Sequence, residues 1–449
     1  MGPLTLPVQR SASLHEAADA FLADVRAWMD CVLDAHPDGF HSDSHDGGTF
    51  MTPWAVYVRS TGDSRPVEFM RRYRDDSRAR FEASRQWLHG YWRRQEAHHG
   101  TEDFDVFLRT LWALDPADAE SVRQFEDAAE HGGNWAAGIP QWYDWERGVF
   151  RSFHLGTEFV GAPGPNVPEH MRLASLALTA HEMTGRRRYL DLAAAYGRRW
   201  AEALLASDGL PAGLDETGPV YAFGNGAPEY RSSLGAAPQD QRSVLSRAEN
   251  LIASAVPDTL LRLWEAASDD RCREAATRVV DAAASVLECP IAWQAHAAVR
   301  RFRALTGSDR YDARVCRLAE AALRQPETLT IVPAAERGRD LCVMGARKDR
   351  PDWLDGSGRP APSPLLWALC AEVTGDQAML TRAVDLGRAY FLLARQAFGD
   401  VTHHGCGARS LSAVARGHGR LNGAGVVTEV LAPALEQLGR ICYHRGCTC

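Results

Sequence analysis

Apolar positions along this chain come in paired helical stripes, and the breaks between the pairs repeat. In "HEMTGRRRYLDLAAAYGRRW" one apolar-periodic segment runs into Thr184-Gly185 and a second begins at once. The same punctuation occurs at Thr61-Gly62-Asp63, Thr306-Gly307 and Thr374-Gly375, with a degenerate copy at Ser268-Asp269. Glycine suits the left-handed residue that closes a helix, and the polar residue after it can cap the next one. Each unit reads as an αα-hairpin. The pattern predicts helical hairpins over 60–80, 170–205, 250–285, 293–324 and 364–396, with little strand. Successive turns lie near three, two and one multiples of about forty residues, a spacing typical of helical-pair repeats. Further turns are expected near "LDPADAES" (114–121) and around 220 and 345, giving six or seven hairpins in all.

Long connections interrupt the array at 36–54, 131–170, 207–243 and 326–363. They are rich in Gly, Pro, Trp, Tyr and His. An open solenoid has short, uniform loops, whereas long mixed loops suit a walled cleft over one mouth of a closed ring. The expectation is an all-α, single-domain (α/α)6-7 toroid spanning 1–449. The succession of Thr-Gly-Asp hairpins resembles the (α/α) six-hairpin toroids of glycoside hydrolases, polysaccharide lyases and sugar epimerases. That resemblance covers most of the chain and implies a carbohydrate-active enzyme, although the turn motif marks architecture and not chemistry.

Composition narrows the classes. The 449 residues are 45% hydrophobic and 24% charged, enough for a large core. A net charge of −8 argues against a nucleic-acid partner, which needs a basic surface. No apolar run reaches membrane-spanning or signal-peptide length, so a cytoplasmic protein with no membrane partner is expected. Of the ten cysteines, Cys31, Cys272, Cys316 and Cys370 fall within helical patterns and read as small buried hydrophobes.

Two stretches carry the candidate chemistry. The first is "GNWAAGIPQWYDWERGVFRSFHLGTEF" (133–159). Aromatic rings stack on the apolar C–H faces of sugars, while acids and amides bind the hydroxyls. Asn134, Trp135, Gln141, Trp142, Trp145, Glu146 and Arg147 are therefore substrate-binding candidates, with Tyr143 and Asp144 as catalytic ones. Residues 141–148, Gln-Trp-Tyr-Asp-Trp-Glu-Arg-Gly, resemble the Asn-Trp-Trp-Asp-x-Glu-Ile-Gly segment of chondroitin and hyaluronate lyase toroids. In that family the Asn helps neutralise the substrate carboxylate; Gln141 stands at its position here. The family's later His and Tyr motifs are not evident downstream.

The second stretch is "HGYWRRQEAHHGTEDF" (89–104). On one helix, Trp92, Glu96, His99 and Asp103 form a stripe, and Gln95, His98, Glu102 and Val106 its neighbour. A solvated face would use Lys, Arg and Glu; this one uses His, Gln and Trp, which suits a cavity lining. The alternative is histidines bridging helices in the wall. β-Elimination on a uronate needs a neutralised carboxylate with a base and an acid, roles open to Tyr143, His98 and His99. Hydrolysis needs two carboxyls, drawn from Glu102 or Asp103 with Asp144 or Glu146.

Other polar clusters suggest less. His41, Asp43 and His45 alternate in a loop, and His403, His404, Cys406 and the tail "CYHRGCTC" lack paired metal-ligand spacing. No metal is expected. No Walker or Rossmann glycine pattern occurs, so no cofactor is expected either. The reading is an oligosaccharide-cleaving enzyme inclined to uronate β-elimination. The alternatives are a glycoside hydrolase, an (α/α)-barrel cyclase for a small molecule, and a non-catalytic helical scaffold.

Overall fold

The computed structural model describes residues 2–39, 47–85, 89, 101, 103–138, 141–151, 166–206, 209–221, 244–289, 292–320, 326–332, 352–398 and 425–441. These residues are mostly helical. The chain opens with strand β1 (Leu4–Pro7), then helices α1 (Leu14–Ala35), α2 (Gly47–Met51), α3 (Trp54–Thr61) and α4 (Arg65–Ala83). A π-helical turn, Asp103–Leu108, runs into α5 (Arg109–Leu114), followed by α6 (Ala119–Gly132) and the ribbon β2 (Tyr143–Asp144) and β3 (Val149–Phe150). Next come α7 (Met171–Thr184), α8 (Arg187–Ala206), β4 (Gly213–Leu214), β5 (Pro219–Val220), α9 (Val244–Ala253), α10 (Val256–Ala267) and α11 (Asp270–Ala284). The remainder is α12 (Trp293–Thr306), α13 (Asp312–Glu320), β6 (Thr328–Val332), β7 (Asp352–Asp355), α14 (Pro364–Thr374), α15 (Gln377–Phe398), a second π-helical turn at Val427–Leu431, and α16 (Ala432–Gln437).

Successive helices separated by short turns occupy all five stretches anticipated from the pattern, and the four Thr-Gly turns share one chemistry. Thr184 Oγ1 donates back to the Ala180 carbonyl (2.7 Å) and accepts from Arg186 N (3.3 Å). Gly185 sits at φ +71° and donates to the His181 carbonyl. Thr61, Thr306 and Thr374 repeat the arrangement, with Gly62, Gly307 and Gly375 at φ +66° to +71°. Threonine thus satisfies one orphan carbonyl and captures the first amide beyond the helix, while glycine reverses the chain. The degenerate turn is shifted by one from the expected alignment: Ser268, at φ +55°, occupies the glycine position. The turn at Asp115–Asp118 falls within 114–121, where one was expected, and Asp118 caps α6 by accepting from Ser121 N.

Strands lie where the sequence suggested only loops. The connection at 131–170 carries β2–β3, 207–243 carries β4–β5, and 326–363 carries β6 and β7. The residues form two compact units, Met1–Phe40 with Thr49–Met70 and Ala284–Cys449, and His41–Gly48 with Arg71–Ala283.

In the first unit α1 packs along α15, and α14 packs on α12, α13 and α15. Trp28 meets Phe50, Trp54 and Phe391 edge-on at 5.1–5.8 Å. β6 runs between β1 and β7, all antiparallel, with Leu4 opposite Ile331 and Trp353 opposite Ile331 on the other side. Ser11 Oγ donates to Asp385 (2.7 Å), and Arg388 pairs with Asp24. A charged chain runs from Asp312 through Arg303, Glu372 and Arg300 to the buried Glu429. Burial opposes ionisation of Glu429, but Arg301 and Arg300 outweigh it and hold the carboxyl below its ordinary range. Cys272 of the second unit and Cys370 of this one are buried as expected. Cys31 is not: it lies on the exposed side of α1.

In the second unit α7 is the central helix. It packs against α6, α8, α10 and the first π-helical turn, and every residue from Met171 to Ala180 is buried.

Candidate functional site

The β2–β3 ribbon is too short to hold itself together, and two asparagine side chains complete it. Tyr143 and Phe150 are register partners. Asn134 Oδ1 accepts from Tyr143 N (2.9 Å) and Trp142 N (2.5 Å), and its Nδ2 donates to the Tyr143 carbonyl (2.6 Å). On the opposite edge Asn166 Oδ1 accepts from Phe150 N (2.9 Å) and its Nδ2 donates to the Phe150 carbonyl (2.7 Å). Each amide imitates a neighbouring strand, so neither edge leaves its backbone groups unmatched. Asn134 itself is at φ +68°, a conformation asparagine tolerates better than most residues.

The turn between the strands carries the charged candidates. Asp144 Oδ1 accepts from the backbone N–H of Glu146 (3.1 Å) and Arg147 (3.0 Å), and Arg147 Nη1 reaches Oδ2 at 3.1 Å. The Arg147 amide, then its guanidinium, keep the Asp144 carboxyl below the usual range against a small cost of burial. Asp144 is therefore an ionised turn-former. Arg147 also lies 3.4 Å from Glu216.

The aromatic candidates divide by exposure. Trp142 and Tyr143 are buried, and Trp142 packs on His131 at 5.0 Å. Burial, with a contribution from Asp144, pushes the Tyr143 phenol well above its ordinary value, so it stays protonated at neutral pH. Its hydroxyl is buried with no hydrogen-bond partner among the described residues. Trp135 covers Gly133 so closely that an added Cβ would lie 2.1 Å from its ring, and Arg188 sits over it at 5.2 Å. Trp145 is different. It is 45% exposed, meets Tyr143 edge-on at 5.0 Å, and lies 6.0 Å from Trp135. Gln141, Glu146 and Arg147 are also exposed.

Of the 89–104 stretch, His89 meets residues of α6 that precede the 133–159 stretch. His89, at φ +44°, stacks on the buried His131 at 5.1 Å with its ring nearly parallel, and its Nδ1 faces Asp127 Oδ1 at 3.4 Å. Trp92, His98, His99 and Glu102 lie outside the described residues, as do His41, Asp43, His45, His403, His404, Cys406 and residues 442–449. Among the described residues no group of three or more His, Cys, Asp or Glu could hold a metal ion, and no helix is long and apolar enough to cross a membrane.

One polar feature escaped the sequence reading. On α7, Ser175 Oγ donates to the buried Asp105 (2.9 Å) and accepts from Arg262 Nη1 (2.9 Å); Arg262 also reaches Thr179 and Glu182. The signal was a polar stripe, Arg172, Ser175, Thr179 and Glu182, inside an otherwise apolar helix. Asp105 sits on a π-helical turn, a winding found often at functional positions. Searches against protein-family models, curated proteins and solved structures give no match to this chain.

Proposed function

We propose that the protein is a carbohydrate-active enzyme that cleaves a glycosidic bond, with its hairpins closing into an (α/α) toroid and the β2–β3 turn serving as a sugar seat. The observation that carries the reading is Trp145: an exposed indole on a turn fixed by Asn134 and Asp144, with charged groups beside it. The exposed part of the ring offers a flat apolar surface, and a pyranose offers a matching apolar face with hydroxyls around its rim. Closure of the ring is supported by the pairing of α1 with α15, which brings the two ends of the repeat array together within one unit.

Elimination and hydrolysis make different demands on this seat. Elimination needs a cation free to neutralise a uronate, and Arg147 is already engaged by Asp144 and Glu216. It also needs a base, which a phenol held protonated supplies poorly. Both features weigh towards hydrolysis, the second reading from the sequence. In a panel of oligosaccharides, a hydrolase gives reducing ends without a new chromophore, and Glu102→Gln abolishes turnover by at least about a hundredfold. A lyase gives a 4,5-unsaturated product absorbing in the near ultraviolet, with turnover lost in Tyr143→Phe. A panel with no product and no binding would sink the carbohydrate reading altogether.

A further inference from the structure

We infer that the Trp145 seat takes an uncharged pyranose, neutral or N-acetylated, and discriminates against a uronate. This rests on the carbohydrate reading above and names its substrate class. The edge-on contact with Tyr143 supports the Trp145 ring from the protein side, and its Nε1–H points to the Gly133 carbonyl at 3.4 Å. Tyr143 is itself wedged against Phe150 and Tyr196. The seat is therefore firm, and the part of the ring left in water is available for a flat apolar sugar face.

The charges around it set the selectivity. Asp144 and Glu216 flank Arg147 at 3.1 and 3.4 Å, and Glu146 lies exposed between Trp145 and Arg147 in the chain. Two carboxylates thus pair with one guanidinium, and Glu146 adds a third negative charge nearby. Beside Trp135, Arg188 is likewise paired, with Glu130. A uronate arriving at this turn meets like charge, which opposes its binding. Sugar hydroxyls meet no such opposition. They donate to the carboxylates and accept from the guanidinium N–H groups, a match of donor to acceptor that carries no net charge.

The test uses the full-length chain and tryptophan fluorescence. It is titrated with β-1,4-linked glucose and N-acetylglucosamine oligomers and with a uronate oligomer of equal length. We expect an uncharged probe to shift the emission, with Trp145→Ala weakening its binding at least about tenfold, and Trp145→Phe recovering part of it. The uronate should bind at least about tenfold more weakly, with the gap shrinking in added salt and in the Glu146→Gln/Glu216→Gln double variant. Equal or tighter uronate binding overturns the inference while leaving the carbohydrate reading standing. So does a gap that ignores both salt and the double variant. Failure of every probe to bind overturns the carbohydrate reading itself.

Discussion

Asn134 is a small residue with a large share of the local order. Its amide satisfies two backbone N–H groups and one carbonyl of the ribbon that carries Trp145. Asn134→Ala should lower stability by about 2 kcal/mol in urea unfolding, because it strands backbone groups beside buried Trp142 and Tyr143. Asn134→Asp tests the donor separately: it keeps both acceptances but sets a carboxylate oxygen against the Tyr143 carbonyl. His296 makes a different residue-scale prediction. It is buried, and its Nε2 lies 3.1 Å from the Leu287 carbonyl, so that nitrogen carries the proton of the neutral ring. Burial pulls its pKa down to about 4, whereas an unfolded histidine titrates near about 6.5. As pH falls the unfolded chain takes up the proton first. The contribution is complete above about pH 6.5, declines as pH falls, and is lost by about pH 4, a total of about 3 kcal/mol. His296→Gln should flatten stability across that window when urea midpoints are compared at its two ends. None of this was legible beforehand. Asn134 bonds residues 8 and 9 positions away and Asn166 one 16 positions away, and neither spacing belongs to a periodic element.

The elements themselves were far easier to read. Each Thr-Gly turn is closed by bonds within a few residues of itself, so its chemistry is complete in the local sequence. The ribbons failed to announce themselves for the opposite reason. A two-residue strand such as β2 has no alternation to detect, and its stability comes from asparagines elsewhere in the chain. Ser268 offers a direct test of the turn logic. It holds a left-handed conformation that favours glycine, so Ser268→Gly should stabilise the chain by about 1 kcal/mol, and Gly185→Ala should cost a similar amount. Thermal melts of both variants should move in opposite directions. If Ser268→Gly instead destabilises, the hydroxyl has a role the turn geometry omits.

At the scale of the whole molecule, the sequence suggested one continuous array, and nothing local in it signalled that residues 1–40 share a unit with residues beyond 284. That grouping depends on β1 pairing with β6, on Ser11 reaching Asp385 and on α1 lying along α15. Removing residues 1–9 should therefore act at a distance in sequence. Amides of Leu329 and Ile331 in β6 should lose hydrogen-exchange protection, while those of α7 and α8 in the other unit keep theirs. Equal loss in both units would show that the two share a single unfolding event.

The same arrangement sets a timetable for biosynthesis. Helix α1 presents Phe21, Val25, Trp28 and Met29, all buried once folded, and its partner α15 is completed only at Phe398. At translation rates of about 5–20 residues per second, that apolar face waits roughly 20–70 seconds for its partner. The stretch Arg71–Ala283, by contrast, emerges in one piece. The ribosome thus delivers the interior of the sequence ready to collapse while its leading helix is still an orphan. Slowed elongation between residues 284 and 398 should lengthen that interval and raise the fraction of newly made chain captured by chaperones or lost to aggregation.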